Sequence, residues 1–294
     1  MPISVFAPAK INLFLAVTGR RADGFHDLVS VVAPLDFGDT LRVEAAETFT
    51  LECDDAAVPV GADNLVLKAA SAFAQATAGQ GGLSGAKFFL EKRIPMGAGL
   101  GGGSSDAVAA LRVLNELAGG PLAEAALAEL AATLGSDCPL FLAGGPVVMR
   151  GRGECVEPLS EGVAQRLCGR QVLVFKPGFG VPTPWAYARM VAQPDTYMAA
   201  ADAEARLAAW IADERRPVEE LLFNNMEHEV FKKFVALSAL FGRLRADFAL
   251  APRMSGSGSA CFAFLRDDAP VEAIERTIRE AWGDSAFLMR AKLR

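Results

Sequence analysis

Apolar and polar side chains alternate near the start of the chain, whereas farther along apolar positions recur every three or four residues. In the segment AKINLFLAV (residues 9–17), one face of a strand carries Ile11, Leu13, Leu15 and Val17, and the opposite face carries Lys10, Asn12 and Phe14. This pattern predicts a strand that presents a lysine and an amide side by side.

The same analysis predicts six further strands and six helices. The strands cover residues 28–35, 39–46, 86–94, 146–151, 171–177 and 260–265, and the helices cover residues 64–78, 104–118, 121–135, 185–211, 218–234 and 270–282. Because strands and helices interleave without a strict β-α-β alternation, the sequence predicts an α+β fold rather than a doubly wound sheet. A polar segment near residues 155–170 predicts a boundary between two domains, residues 1–160 and 161–294.

A glycine-rich segment, IPMGAGLGGGSSDA (residues 94–107), lies between a predicted strand and a predicted helix. Glycine allows positive φ and close approach of the backbone, and the free N–H groups and dipole of a helix N-terminus favour an anion. The segment therefore predicts a phosphate-binding loop, in which Ser104 and Ser105 either cap the helix or donate to a phosphate oxygen. A flexible linker or a tight turn is the alternative.

Three known types of phosphate loop do not fit this segment. Gly97, Gly99 and Gly102 match the dinucleotide pattern, but the acidic residue at the required distance, Glu124, lies in a predicted helix. No lysine follows as in a Walker loop, and the protein-kinase tripeptide at residues 36–38 precedes the glycine-rich segment. We interpret Gly38 as part of a turn between two strands.

Composition restricts the classes of function. Hydrophobic residues make up 52% of the 294 residues, charged residues make up 22%, and the net charge is -6, as in a globular protein without a general affinity for nucleic acids. No run of 18 apolar residues and no secretory signal is apparent, which predicts a cytoplasmic protein without a membrane partner. The five scattered cysteines indicate neither a disulfide framework nor a zinc site.

Three motifs together resemble those of the GHMP small-molecule kinases: PAKINLFL (residues 8–15), PMGAGLGGGSSDA (residues 95–107) and SGSGSACF (residues 255–262). Segments at residues 19–28, 63–70, 134–141 and 177–187 are similar to those of members that phosphorylate a cytidyl-linked polyol in non-mevalonate isoprenoid synthesis. The resemblance covers nearly the whole chain, except about residues 188–220. It implies an N-terminal ATP-binding domain of mixed sheet and helices and a C-terminal ferredoxin-like domain.

The resemblance also implies the reaction and the residues that perform it. Asp137 is expected to accept the proton of the acceptor hydroxyl, and Lys10 to polarise that hydroxyl or hold the carboxylate, with ATP and Mg²⁺ as cofactors. The ligands of the metal are not assigned. From the residues alone, Asp137 could instead cap a helix that begins near Pro139, and Lys10 could reach solvent.

The remaining expected contacts divide between the nucleotide and the acceptor. The resemblance implies that the glycine-rich segment holds the phosphates through Pro95, Met96, Gly97, Ala98, Gly99, Leu100, Gly101, Gly102, Gly103, Ser104 and Ser105. Asn64 and Lys92 are expected near the adenosine, although Asn64 could equally cap a helix. The expected acceptor contacts are Asn12, Phe25, His26, Thr183 and Tyr187, with Phe25 and Tyr187 on the two faces of a cytosine ring and His26 at its edge.

Two further alternatives remain open. Another GHMP kinase that acts on a sugar, homoserine or a mevalonate-like alcohol would share the glycine-rich segment but not Phe25, His26 and the VPTPWAY segment (residues 181–187). A non-catalytic relative that senses nucleotide is the other alternative. The turn at Ser255 to Gly258 either shapes the acceptor pocket or is a plain hairpin turn.

Overall fold

The computed structural model describes residues 2–78 and 83–294. Its strands are Ile3–Arg20 (β1), His26–Ala45 (β2), Thr50–Cys53 (β3), Ala86–Glu91 (β4), Val147–Arg150 (β5), Cys155–Pro158 (β6), Gln171–Lys176 (β7), Phe223–Asn224 (β8), Arg253–Met254 (β9), Cys261–Phe264 (β10) and Phe287–Lys292 (β11). Its α-helices are Leu65–Ala76 (α1), Gly102–Leu117 (α2), Glu124–Leu134 (α3), Glu161–Gln165 (α4), Thr183–Ala192 (α5), Ala200–Ala212 (α6), Glu227–Lys233 (α7), Val235–Phe248 (α8) and Val271–Trp282 (α9). Three 3₁₀ turns cover Pro139–Leu142, Pro194–Thr196 and Val218–Glu220. The predicted α+β class is confirmed.

Contacts divide the chain into two units, each built from several segments. The first unit contains the chain up to Ala9, Phe37–Met96 and Gly101–Gly144. In this unit the strand order is β3-β4-β2, with Thr40 opposite Glu91 in the antiparallel β2–β4 pair. Helices α1, α2 and α3 contact one another, and α1 buries its apolar face, which includes Phe73.

The second unit contains Lys10–Asp36, Gly97–Leu100 and Gly145–Arg294. The segments of β1 and β2 in this unit form a sheet with β8 and β5, and β6 pairs with β5. A separate antiparallel sheet has the order β11-β7-β10-β9. A core that includes Phe175 of β7 and Phe241 of α8 fills this unit. The domain boundary near residue 160 stays a prediction.

The turn predicted at Gly38 is wrong, because β2 continues through this residue. A Cβ atom on Gly38 would lie 2.3 Å from the carbonyl oxygen of Ala7, a distance that no side chain could occupy. Glycine is therefore required at this position, because the backbone of Ala7 approaches it closely. The sequence patterns that predict strands at residues 28–35 and 39–46 contain no information about this contact.

Two predicted helices are also wrong in extent. The helix expected over residues 185–211 is divided into α5 and α6 by the turn Pro194–Thr196, since proline has no N–H to continue the helix. The helix expected over residues 218–234 has a 3₁₀ turn at Val218–Glu220 and is α-helical only from Glu227, because Phe223 and Asn224 pair in parallel with β1. Helices α4 and α8 and the strands β3, β6, β9 and β11 were not predicted.

We expect Gly38→Ala to destabilise the protein by about 1–3 kcal/mol, as overpacking typically does, because the added methyl group collides with fixed backbone. Urea unfolding measures the change. Gly19→Ala in β1 is the matched control, since a Cβ there meets nothing within 4 Å. Equal stability of the two variants would contradict the close approach at Gly38.

Candidate active site

The glycine-rich segment has the backbone of an anion-binding loop. Gly97, Gly99 and Gly101 have φ values of 60°, 80° and 74°. Helix α2 begins at Gly102 and has no side chain hydrogen-bonded at its N-cap, Gly101. The N–H groups of its first turn are therefore not occupied by a cap, as binding of an anion requires.

The two serines of this segment lie inside α2, so the expectation that either caps the helix is wrong. Ser105 is 1% exposed, and its Oγ has no hydrogen-bond partner among the described residues. A buried hydroxyl without a partner is costly, and a phosphate oxygen would satisfy it.

Within the second unit, three successive carbonyl groups of the glycine-rich segment accept hydrogen bonds. The backbone N–H of Ala260 donates to Ala98 at 3.0 Å, and that of Lys10 donates to Leu100 at 2.9 Å. Between them, Ser255 Oγ donates to the carbonyl of Gly99 at 2.9 Å. The turn at Ser255 connects β9 to β10 as a hairpin does, and it also holds the glycine-rich segment.

The Lys10 side chain is held inside the second unit. Lys10 is only 3% exposed, and its Nζ donates to Asn12 Oδ1 at 2.7 Å. Asn12 Nδ2 in turn donates to Ser30 Oγ at 3.0 Å. The alternative in which Lys10 reaches solvent is therefore wrong. The Asn12 amide thus positions Lys10. The expected contact of Asn12 with the acceptor stays a prediction.

Asp137 lies in the first unit, in the turn between α3 and Pro139–Leu142, and is half-buried. The N-cap position of that 3₁₀ turn is Cys138 rather than Asp137, so the capping alternative is wrong in position. Lys10 and Asp137 belong to different units, and their meeting at an acceptor hydroxyl stays a prediction.

His26 is buried among aromatic side chains of the second unit. Its Nε2 lies 3.1 Å from the hydroxyl of Tyr197, and its ring centroid lies 4.6 Å from that of Tyr187. Burial, assisted by the positive charge of Arg20, lowers the pKa of His26 below its ordinary value. The imidazole is consequently neutral at neutral pH and can both donate and accept a hydrogen bond.

The Phe25 ring is 48% exposed. The guanidinium carbon of Arg152 lies 4.9 Å from the ring centroid, and the Asp23 carboxylate accepts a hydrogen bond from the Phe25 N–H. These contacts fix an aromatic face at the surface. Thr183, at the start of α5, lies 2.8 Å from Ser257 through the two hydroxyl oxygens. The aromatic slot between Phe25 and Tyr187 stays a prediction.

The two residues expected near adenosine both have structural partners in the first unit. Asn64 caps α1 by accepting a hydrogen bond from Val66 N at 2.9 Å. Lys92 Nζ donates to Asp39 and Asp106 at 2.5 and 2.8 Å. Their adenosine contacts stay predictions.

Several polar side chains that the sequence analysis did not identify support these groups. Asn224 Nδ2 donates to the carbonyls of Met254 and Gly256, and Glu227 accepts from the N–H of Met254, so both hold the turn at Ser255. A polar residue at an otherwise apolar strand position, such as Ser30 in LVSVV, is the signal that could have indicated a buried partner.

Comparison with known proteins gives matches over most of the chain. Residues 64–145 match the family described as GHMP kinases N terminal domain, and residues 211–284 match GHMP kinases C terminal. A 4-diphosphocytidyl-2-C-methyl-D-erythritol kinase of Synechococcus sp. (strain CC9902) is 41% identical over 278 residues, which are 90% of this chain and 88% of the relative. The kinase of the same name from Thermus thermophilus is 40% identical, with 94% of this chain and 92% of the relative covered.

Solved structures give the same result. A crystal structure of 4-(cytidine 5'-diphospho)-2C-methyl-D-erythritol kinase is 38% identical, has a TM-score of 0.76 and covers 99% of both chains. The mevalonate kinase of Methanococcus jannaschii is only 12% identical but has a TM-score of 0.73, which indicates a shared fold. Among the described residues, no helix has the length and apolarity to cross a bilayer.

Glu227 generates a prediction about the pH dependence of stability. Burial raises its pKa to about 7, although Arg253 and Arg245 oppose the shift. The folded state therefore binds a proton that the unfolded state releases near pH 4.5, so this contribution to stability is present below pH 4.5 and lost as the pH rises through about 7.

We expect Glu227→Gln to remove this contribution. Between pH 5 and pH 8, the wild-type free energy of unfolding should fall relative to that of the variant by on the order of 2–3 kcal/mol, since one pKa unit corresponds to about 1.4 kcal/mol. Urea unfolding across this range measures both proteins. Parallel pH curves would contradict a buried, protonated Glu227.

Proposed function

The chain belongs to the 4-diphosphocytidyl-2-C-methyl-D-erythritol kinases of the GHMP family, and from this premise we propose that its substrate is the cytidyl-linked polyol of that name. The protein is an ATP-dependent small-molecule kinase. The reaction transfers the γ-phosphoryl group of ATP to the 2-hydroxyl of the acceptor and releases ADP. It belongs to non-mevalonate isoprenoid precursor synthesis.

Two observations together support this function. The chain is 36–41% identical to kinases of this name over nine-tenths of its length or more, and its helix α2 has an uncapped N-terminus that follows three glycines with positive φ. Phosphoryl transfer needs positioning and charge stabilisation more than covalent chemistry. Main-chain N–H groups from Met96 to Ser105 supply that stabilisation for the ATP phosphates, and the buried hydroxyl of Ser105 donates to a phosphate oxygen.

Lys10 and Asp137 act on the acceptor hydroxyl in this proposal. The Asp137 carboxylate accepts the hydroxyl proton while the oxygen attacks the γ-phosphorus atom and the bond to ADP breaks. The Lys10 ammonium polarises the hydroxyl or holds the carboxylate. Its hydrogen bond to Asn12 supports this role, because it fixes the ammonium before the substrate arrives.

Magnesium accompanies ATP in kinases of this type. The described residues contain no group of three His, Cys, Asp or Glu side chains placed to hold a metal ion. We therefore assign no protein ligand to the ion, which would neutralise charge on the phosphates. No step above depends on it.

The cytidyl group is recognised by aromatic side chains of the second unit. Phe25 and Tyr187 stack on the two faces of cytosine, and His26, neutral at neutral pH, bonds to its edge. Asn12 and Thr183 contact the acceptor elsewhere. The support for this assignment is the fixed exposed ring of Phe25 and the proximity of the His26 and Tyr187 rings.

A coupled assay of ADP release tests the function. The purified protein is supplied with ATP, Mg²⁺ and either 4-diphosphocytidyl-2-C-methyl-D-erythritol or a panel of homoserine, mevalonate and galactose. We expect turnover with the cytidyl compound alone. Turnover with a simple alcohol would indicate another GHMP kinase, and nucleotide binding without turnover would indicate a non-catalytic relative.

We expect Asp137→Asn to lower kcat by about two to four orders of magnitude, because the amide cannot accept the hydroxyl proton. The dissociation constant of ADP, measured by calorimetry, should change little. Asp137→Glu, which keeps the base but displaces it, should retain more activity than the amide. Near wild-type turnover of Asp137→Asn would refute the assignment.

We expect Tyr187→Ala to raise the KM of the cytidyl substrate roughly 5- to 150-fold, the equivalent of about 1–3 kcal/mol of stacking, while the KM of ATP stays constant. Tyr187→Phe keeps the ring and should retain most of the stacking, so its substrate KM should rise far less. If Tyr187→Ala lowers the melting temperature but leaves the substrate KM unchanged, Tyr187 only packs against the core.

A further inference from the structure

A chain of buried charges joins the two ends of the glycine-rich segment. Lys92 lies just after β4, two residues before the segment, whereas Asp106 lies in α2, at the end of the segment. Asp39 of β2 accepts hydrogen bonds from the backbone N–H groups of Arg93 and Ile94 through Oδ1 and from Lys92 Nζ through Oδ2. Lys92 Nζ also donates to Asp106 Oδ2 at 2.8 Å.

These three side chains, the triad Asp39–Lys92–Asp106, are almost completely buried. The exposed fractions of their side chains are 0%, 7% and 4%, respectively. Asp106 Oδ1 has no hydrogen-bond partner among the described residues. Two carboxylates share one ammonium, and burial raises the pKa of Asp106 to about 7 although Lys92 opposes the shift. Such a cluster is a poor source of stability, but it holds its members in one geometry.

The triad lies directly against the start of α2. A Cβ atom on Gly102 would lie 3.0 Å from Lys92 Nζ and 3.1 Å from Cγ2 of Ile94. The first residue of the helix is therefore packed closely against the ammonium.

We propose that Asp39–Lys92–Asp106 is a positioning unit that fixes the first turn of α2 for nucleotide phosphates, and that the Lys92 ammonium acts through Asp106 rather than on the adenosine. This role rests on the proposed nucleotide site. It assigns a positioning role to the carboxylates of Asp39 and Asp106, and it predicts that substitutions of Lys92 and Asp106 are energetically coupled.

Four variants of the full-length protein test the role: Lys92→Met, Asp106→Leu, the double variant, and Asp106→Asn, which keeps an acceptor for Lys92 if the leucine variant fails to fold. Lys87→Met is the matched control, because Lys87 lies on β4, which ends just before Lys92, and forms an exposed pair with Glu52 at 2.8 Å. The measurements are melting temperature, calorimetric affinity for ADP, and affinity for CMP as a probe of the acceptor side.

We expect Lys92→Met and Asp106→Leu each to weaken ADP binding about 10- to 100-fold, and Asp106→Asn to weaken it less, since about 1.4 kcal/mol corresponds to tenfold. The double variant should lose no more than the larger single effect, because the two residues act together. CMP affinity and the Lys87→Met control should match wild type.

Other results would overturn the role. If Lys92→Met weakens ADP binding while both Asp106 variants bind ADP as wild type does, Lys92 contacts the nucleotide directly. If melting temperatures fall and ADP affinity does not, the triad is only structural. A wild-type protein that binds no ADP would instead refute the proposed nucleotide site itself.

Discussion

A phosphate-binding loop must turn its N–H groups toward the ligand, and its carbonyl groups must then find donors elsewhere. In this protein the carbonyls of Ala98, Gly99 and Leu100 accept from Ala260 N, Ser255 Oγ and Lys10 N. Those donors come from the first and third of the three family motifs, so within the second unit the motifs meet through hydrogen bonds to the backbone carbonyls of the glycine-rich segment. Gly99 is required for a further reason: a Cβ atom there would lie 2.3 Å from the carbonyl oxygen of Ser255.

Two lysine side chains are buried in this protein, and their burial affects local geometry more than stability. Lys10 and Lys92 are long, flexible side chains that in water lose considerable rotamer entropy when they are ordered. Each is instead held by buried acceptors, Lys10 by an amide and Lys92 by two carboxylates. A desolvated ammonium costs free energy unless its partners are well placed. Both ammonium groups are buried in spite of this cost, and their partners fix the directions in which they point.

Local patterns were sufficient to predict the class of the fold, the strand at Lys10, helices α1, α2 and α9, and the loop before α2, because alternation and helical spacing are properties of neighbouring residues. The failures are long-range. The local sequence at Gly38 predicts a turn, but the residue is needed because the Ala7 backbone lies against it. The local sequence at residues 223–224 predicts a helix, but these residues pair with β1. Hydrophobic spacing contains no information about either partner.

The candidate site shows the same limit. Resemblance to the GHMP kinases indicated Lys10, Asn12 and His26, but not what holds them, since Asn12 bonds to Ser30 across 18 residues and its backbone N–H donates to Ser255 across 243 residues.

Tyr197 is the instructive case, because its segment had only a helical pattern. Its hydroxyl lies 3.1 Å from His26 Nε2, and the roles of the two groups depend on the imidazole tautomer: if the hydroxyl donates, Nδ1 carries the proton, and if the hydroxyl accepts, Nδ1 is an acceptor. The lowered pKa of His26 leaves one ring proton at neutral pH. In the proposed complex His26 bonds to the edge of cytosine, so Tyr197, which lies outside every motif that identified the family, contacts the side chain proposed to recognise the base.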